Sequence, residues 1–285
     1  MDHSPVASVE IVKMRHQIAA GATDVVAIEE PLEIQLEYST ATGRMVKNIA
    51  VTMRTPGNDR ELALGFLFTE GMLSKRNQVL DCRHPAGDEN RIRVVLHKNV
   101  VPDLTKLARN FFAGSGCGIC GKAEIDSLRT NSPFSALKNS LQVEASMIYA
   151  LPELLRKGQL LFTKTGGIHA AGLFDAAGSL LYLREDIGRH NAVDKIIGAA
   201  FSDGRLPLSQ YLMVLSGRAG FELIQKAAMA GIGAVAAIGA PSSLAVELAK
   251  EAGMLLLGFL KEETMNIYAG KEHIKIIDKA SKNGK

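Results

Sequence analysis

The chain has 285 residues, 47% of them hydrophobic, enough to fill one large core or two smaller ones. A formal net charge of +3 excludes a strong global field for nucleic acid or membrane, and the lack of Trp with only 5% aromatics argues against base-stacking platforms. No apolar run reaches the ~20 residues of a membrane span, the first residues lack a signal-peptide layout, and three cysteines make no secreted disulfide framework, so a cytoplasmic protein is expected.

Residues 1–24 are polar and weakly patterned, which predicts a loosely held arm. Residues 25–38 alternate Leu32, Ile34 and Leu36 with Glu33, Gln35 and Glu37, the pattern of a half-buried strand. Residues 44–54 read as its antiparallel partner. Asn58 with Glu61 three residues on offers a capping box for a helix over 59–73, apolar on nearly every side and therefore buried. A strand at 91–97 and a short helix at 102–112 complete an α+β domain over 25–113.

Residues 114–142 read as a loop and linker, opening with Gly114-Ser115-Gly116-Cys117-Gly118-Ile119-Cys120-Gly121. Glycine at that density prevents regular structure. From 143 to 285 the pattern changes. A helix at 145–157 leads into a hairpin, 168–175 and 179–185, turned at Ala176-Ala177-Gly178. Helix 187–201, strand 211–216, helix 219–230, strand 234–239, helix 242–252 and a last strand at 254–260 then alternate. Continuous apolar strands between helices predict a mainly parallel sheet covered on both faces. The fold class is α/β, a three-layer αβα C-terminal domain with a smaller α+β N-terminal domain. The element order of the second half is similar to the cytidine-deaminase-like fold.

Ligands of such sheets bind beyond the carboxyl ends of the strands. The loops expected there carry Glu185 to Asn191, including Arg189 and His190, then Ser216-Gly217-Arg218-Ala219-Gly220, Ala240-Pro241-Ser242-Ser243 and Lys261-Glu262-Glu263-Thr264. Three of these loops open helices, whose free N–H groups and positive dipole favour phosphates. Each piece also has a plainer reading. Ser242 and Ser243 serve as ordinary N-caps, Gly217 and Gly220 as turn residues, Arg189 and His190 as a solvated helix start, and His169 as a structural histidine.

The Cys117-x-x-Cys120 pair has four readings. Structural zinc needs four ligands, but Cys82 is isolated, and His169 and His190 would have to fold close by. A thioredoxin-type motif sits at a strand-to-helix junction, not in a glycine-rich stretch between domains. Inert cysteines rarely sit amid four glycines. A mobile thiol that accepts and delivers a group, such as persulfide sulfur, suits the composition, and Lys122 favours the thiolate. Zinc deamination would need a His-x-Glu followed by Pro-Cys-x-x-Cys. Here His169-Ala170-Ala171 lacks the Glu, and no cysteine follows it.

Nine motifs follow one another along the chain: Met53-Arg54-Thr55-Pro56-Gly57, Glu61 to Leu67, Thr69-Glu70-Gly71, Gly116 to Gly121, Thr165 to Ala171, Arg184 to Asn191, Ser216 to Ala219, Gln225 to Met229 and Ala240 to Glu247. In this order they resemble the formate dehydrogenase accessory sulfurtransferase family over about residues 28–270. The resemblance implies a cytoplasmic, dimeric sulfurtransferase with a deaminase-like fold. It would take sulfur from a cysteine desulfurase and supply the molybdenum bis-molybdopterin guanine dinucleotide cofactor of formate dehydrogenase. It implies Cys117 as the persulfide carrier and Cys120 as relay or resolving thiol. It also implies cofactor binding by Phe259, Leu260, Lys261, Glu262, Glu263 and Thr264, with Asn266 and Tyr268 after them. Thr264 stands where the family often has a second basic residue, which shifts weight to Arg218, Arg189 and the helix ends. A non-catalytic, cofactor-binding chaperone is the alternative expectation, and a zinc-dependent nucleotide hydrolase a third.

Overall fold

A computed structural model describes residues 4–104 and 132–275 of the chain. The Cys117–Cys120 motif, and the helix expected at 102–112 beyond residue 104, lie outside the described residues.

The chain begins with an antiparallel hairpin, β1 (Val6–Arg15) and β2 (Ile18–Ala27), not with the loosely held arm expected. His16 and Gln17 turn it with φ of 45° and 67°. Both residues are left-handed, as a two-residue turn matched to strand twist requires. The turn lacks the usual Gly or Asn, and both faces of the ribbon are largely exposed. Neither a turn signal nor a buried stripe therefore marks it in the sequence. The single strand expected over 25–38 divides at Ile28-Glu29, its first residues belonging to β2.

β3 (Glu30–Thr40) pairs antiparallel with β4 (Gly43–Arg54) and parallel with β6 (Arg91–Leu96), which pairs with β5 (Val79–Arg83) at the sheet edge. Leu32, Ile34 and Leu36 are fully buried, as the alternation predicts. Helix α1 (Asp59–Thr69) packs over this sheet. The expected capping box does not form. Asn58 is left-handed (φ 58°) and its side chain makes no cap hydrogen bond, since a side-chain cap needs an extended backbone at that position. Glu61 instead accepts a hydrogen bond from Arg184 Nη2 at 2.6 Å.

The second half runs β7 (Val143–Glu144), α2 (Ala145–Gly158), α3 (Leu160–Thr165), β8 (His169–Asp175), β9 (Leu180–Asp186), α4 (Arg189–Ser202), β10 (Tyr211–Leu215) and α5 (Phe221–Met229). It continues through β11 (Ala234–Ala237), α6 (Ser243–Glu251), β12 (Leu255–Gly258), β13 (Asn266–Ala269) and β14 (Ile274–Lys275). The sheet order is β13-β12-β11-β10-β8-β9. β10, β11 and β12 are parallel, β8 is antiparallel to both neighbours, and β13 is an antiparallel edge. The sheet is thus mixed rather than mainly parallel in its pairings, and β12 is not last. The short β13, with two exposed residues at its start, carries too little apolar pattern to be read as a strand. β9 through β12 nonetheless share one direction, so their carboxyl ends meet at one edge.

The pleat sends alternate residues into two cores. Leu212 and Val214 of β10 join Ile148, Leu151 and Leu155 of α2 on one face. Met213 and Leu215 join α4 and α5 on the other. This second core continues without a break into Leu62, Leu67, Ile34 and Leu36 of the N-terminal half.

The junction is a helix crossing of α1 on α4. A Cβ added to Gly65 would lie 1.9 Å from the Asp194 carbonyl oxygen, and one added to Gly198 would lie 1.8 Å from that of Glu61. The two backbones touch, and no side chain fits between them. Buried ion pairs flank the crossing. Lys195 Nζ meets Asp186 Oδ2 at 2.7 Å and donates to the Thr55 carbonyl at 3.0 Å. Lys226 Nζ meets Asp194 Oδ2 at 2.9 Å and donates to Thr69 Oγ1 at 2.9 Å. Burial alone would lower the Lys226 ammonium, but Asp194 and Glu70 outweigh it and hold its pKa above the ordinary lysine value.

Gly198→Leu is expected to lower stability by about 3 kcal/mol or more, because backbone must move to admit the side chain; a shift of the urea midpoint at unchanged slope measures it. Lys226→Met should cost about 3–5 kcal/mol by leaving Asp194 buried and unpaired, and Lys226→Met with Asp194→Leu should recover most of that loss in the same assay.

Candidate functional site

The carboxyl-edge loops of the large sheet are laced together by their own backbone. Gly239 N–H donates to Gly217 O at 3.0 Å, Ser242 N–H to Ala219 O at 3.0 Å, and Phe259 N–H to Gly239 O at 3.0 Å. Helices α4, α5 and α6 open from this edge with extended N-cap residues Gly188, Gly220 and Ser242. Their positive ends therefore point into one region.

Arg189 and Arg218 are exposed here, and neither has a carboxylate within ion-pair distance among the described residues. His190 Nε2 meets Glu222 Oε2 at 2.7 Å. The hydrogen bond from His190 holds the Glu222 carboxyl below the usual range, against partial burial, with Lys226 and Arg189 assisting. Sequence reasoning missed Glu222. Its only signal was a carboxylate in the first turn of a helix already expected at the edge.

The serines have structural duties. Ser242 Oγ accepts from Ala245 N–H at 3.3 Å, so it is the N-cap of α6. Ser216 Oγ accepts from Ala170 N–H at 2.8 Å and stitches β10 to β8. Ser243 is exposed beside Ser242. In the β12–β13 loop, Phe259 is exposed with a left-handed backbone (φ 52°), while Leu260 is buried in the core and offers the edge only its backbone. A bulky residue held at positive φ is a strained position. Lys261, Glu262, Glu263 and Thr264 are exposed, in a turn closed by Lys261 N–H to Thr264 O at 2.9 Å. Asn266 and Tyr268 follow on β13.

A cleft of about 510 Å³ opens at the same edge, lined by Arg156, Phe162, Gly166, Gly167, His169, Ile187, Ser216 and Ile238. The Arg156 guanidinium lies 4.3 Å over the Phe162 ring. Neither residue was expected at the site: Phe162 lies on α3, too short to show a helical period, and Arg156 lies in the last turn of α2, where a basic residue reads as an ordinary helix end. Burial, then the charges of Arg189 and His190, push the His169 imidazole below its ordinary pKa. It is therefore neutral near pH 7, able to donate from one ring nitrogen and accept at the other.

The described chain resumes away from this edge. Where the described chain resumes, Ser132 Oγ donates to the Ala228 carbonyl at 2.7 Å, at the far end of α5 from the carboxyl edge. Asn139 Nδ2 donates to Gly233 O at 2.7 Å and Gly253 O at 3.0 Å, which anchors the end of the expected linker at the amino-terminal edge. The third cysteine is no carrier. Cys82 is buried, and burial pushes its thiol to about 12, despite Arg60 nearby.

Comparison with known proteins agrees with the motifs. The FdhD/NarQ family profile matches residues 27–275. A protein of Streptomyces avermitilis named sulfur carrier protein FdhD is 44% identical over 274 residues, covering 93% of this chain and 94% of that one. One of the same name from Saccharolobus solfataricus is 40% identical over 265 residues, covering 93% and 96%. A crystal structure from Desulfotalea psychrophila, described as a candidate formate dehydrogenase accessory protein, superposes with a TM-score of 0.73 at 23% identity, covering 95% of this chain and all of that one. By sequence over nearly its whole length, the chain belongs to the FdhD/NarQ family.

Proposed function

We propose that the chain is a sulfurtransferase and sulfur carrier. It takes persulfide sulfur from a cysteine desulfurase and passes it to the molybdenum bis-molybdopterin guanine dinucleotide cofactor of formate dehydrogenase. The observation that carries this reading is the carboxyl edge, where three helix amino ends and two arginines without a carboxylate partner among the described residues share one edge with a cleft, in a chain that also holds a Cys-x-x-Cys pair. Phosphates of the guanine nucleotide ends suit Arg189, Arg218 and the helix ends. Lys261 adds charge, while Glu262, Glu263 and Glu222 oppose it.

The Cys117 thiolate attacks the outer sulfur of the donor persulfide. A new S–S bond forms to Cys117, the donor S–S bond breaks, and the donor leaves as a thiolate. Cys120 thiolate then attacks the Cys117 sulfur, forming the Cys117–Cys120 disulfide and releasing hydrosulfide for the molybdenum centre. Twelve peptide steps from Cys120 to Ser132 reach at most about 40 Å. That exceeds the ~14 Å length of α5, so the tether position permits delivery to the carboxyl edge. A homodimer in the cytoplasm belongs to the same proposal, and among the described residues no helix is long and apolar enough to cross a membrane.

Incubation with a desulfurase and cysteine should add one sulfur to the loop peptide by mass, and Cys117→Ala should abolish that gain while leaving guanosine diphosphate affinity intact. If Cys117→Ala still yields active formate dehydrogenase, the transfer chemistry is wrong and a non-catalytic chaperone takes its place. Arg218→Ala should weaken guanosine diphosphate binding by about tenfold or more without affecting persulfide formation, and Glu222→Gln should strengthen it about two- to fivefold by removing a repelling carboxylate; calorimetry reads both. Because the folded pKa of His169 is depressed, the unfolded chain takes its proton first, so stability declines as pH falls below about 6.5 and on toward the folded midpoint. An NMR titration of the imidazole should show that lowered midpoint, and bound nucleotide should raise it.

A further inference from the structure

Most arginines of the described chain face a carboxylate or lie on an aromatic ring. Seven have no carboxylate within ion-pair distance among the described residues: Arg15 at the hairpin turn, Arg156 over its ring, Arg205 beside Tyr211, Arg189 and Arg218 at the carboxyl edge, and one further pair, Arg60 and Arg76. This last pair lines a cleft of about 470 Å³ between the start of α1, the turn at Arg76–Gln78, the start of β5 and the end of α4. Leu64, Val79, Leu80 and Phe201 supply an apolar wall. Ser202 also lines it, and its buried Oγ has no hydrogen-bond partner among the described residues. A buried hydroxyl without a partner is rare in a folded protein. Ser202 ends the fourteen-residue α4, so this cleft lies ~21 Å along that helix from the carboxyl edge.

We propose that this second cleft binds a small organic phosphate. Two guanidinium groups match the charge of a phosphate dianion, and their planar forks match its oxygens. A carboxylate would balance only one arginine. The apolar wall, with Leu80 mostly exposed, covers the organic body of the ligand. The positive end of α1, on which Arg60 is the second residue, is set against the negative carboxyl end of α4 at Ser202, so the field of the cleft rests on the two arginines.

Calorimetric titration of the full chain with naphthyl phosphate tests the assignment. Saturable binding is expected, weakened at least about tenfold by the Arg60→Ala, Arg76→Ala double variant and unchanged by Arg218→Ala. Both arginines are exposed, so the double variant should keep the parent melting temperature. Naphthol should not saturate, and naphthyl sulfate, a monoanion, should bind more weakly than the phosphate. The proposal falls if the chain shows no saturable binding, if the double variant binds as tightly as the parent, if Arg218→Ala abolishes binding, or if the sulfate binds equally well.

Discussion

The structure depends on two glycines that let α1 and α4 meet backbone to backbone. At Gly65 and Gly198 no side chain fits, so the helix of the N-terminal sheet is seated directly on the helix that covers the large sheet. That contact leaves no slack, because a backbone cannot adopt another rotamer as a side chain can. It fixes α4 along its length, and with it the amino end where Arg189 and His190 stand. One apolar cluster then runs from the first sheet through both helices into the second.

Charge is sorted by burial around this joint. Arg54, Lys195 and Lys226 are buried cations, and each faces a buried carboxylate, Asp59, Asp186 or Asp194. Asp186 also accepts from Gly188 N–H and from Asn191 Nδ2, which itself donates to Met53 O. Two motifs far apart in the chain, Met53 to Thr55 and Asp186 to Lys195, thus form one clamp. Their polar residues hold the halves together, while the arginines left without carboxylates lie at the surface where an anion can reach them. A buried ion pair is weak evidence for net stability but a strong constraint on registry, because the wrong register leaves a charge uncompensated.

How much of this was legible follows from the kind of signal each feature carries. Leu32, Ile34 and Leu36 announce their face by a period of two, and the helices over 189–202, 221–229 and 243–251 lie close to where periodicity puts them. The hairpin over 6–27 was missed because its turn is His16-Gln17 and its faces are exposed. Asn58 was misread as a cap because residue type does not report a left-handed backbone. Arg156 and Phe162 gave no signal as site residues and Glu222 only its place in a first turn, since what makes them part of the site is Ser216 and Ile238 across the cleft and His190 at the edge, all more than twenty residues away in the chain. The loops carrying Arg189, Arg218 and Ser242 were expected at one edge and are found there, although Ser242 serves as a cap and Leu260 is part of the core.

By itself the sequence determined the family, the alternating second half, the shared edge of its loops and the existence of a glycine-flanked dithiol. These rest on local pattern and on motif order, which need no knowledge of distance. Only the tertiary structure decided that β8 and β13 run against the parallel strands, that Gly65 faces Gly198, and that Lys195 and Lys226 are internal. It alone placed Ser132, just beyond the dithiol segment, at the opposite end of α5 from the arginine-bearing edge. Those are contacts between residues remote in the chain, set by which surfaces exclude water together, and no local period encodes them.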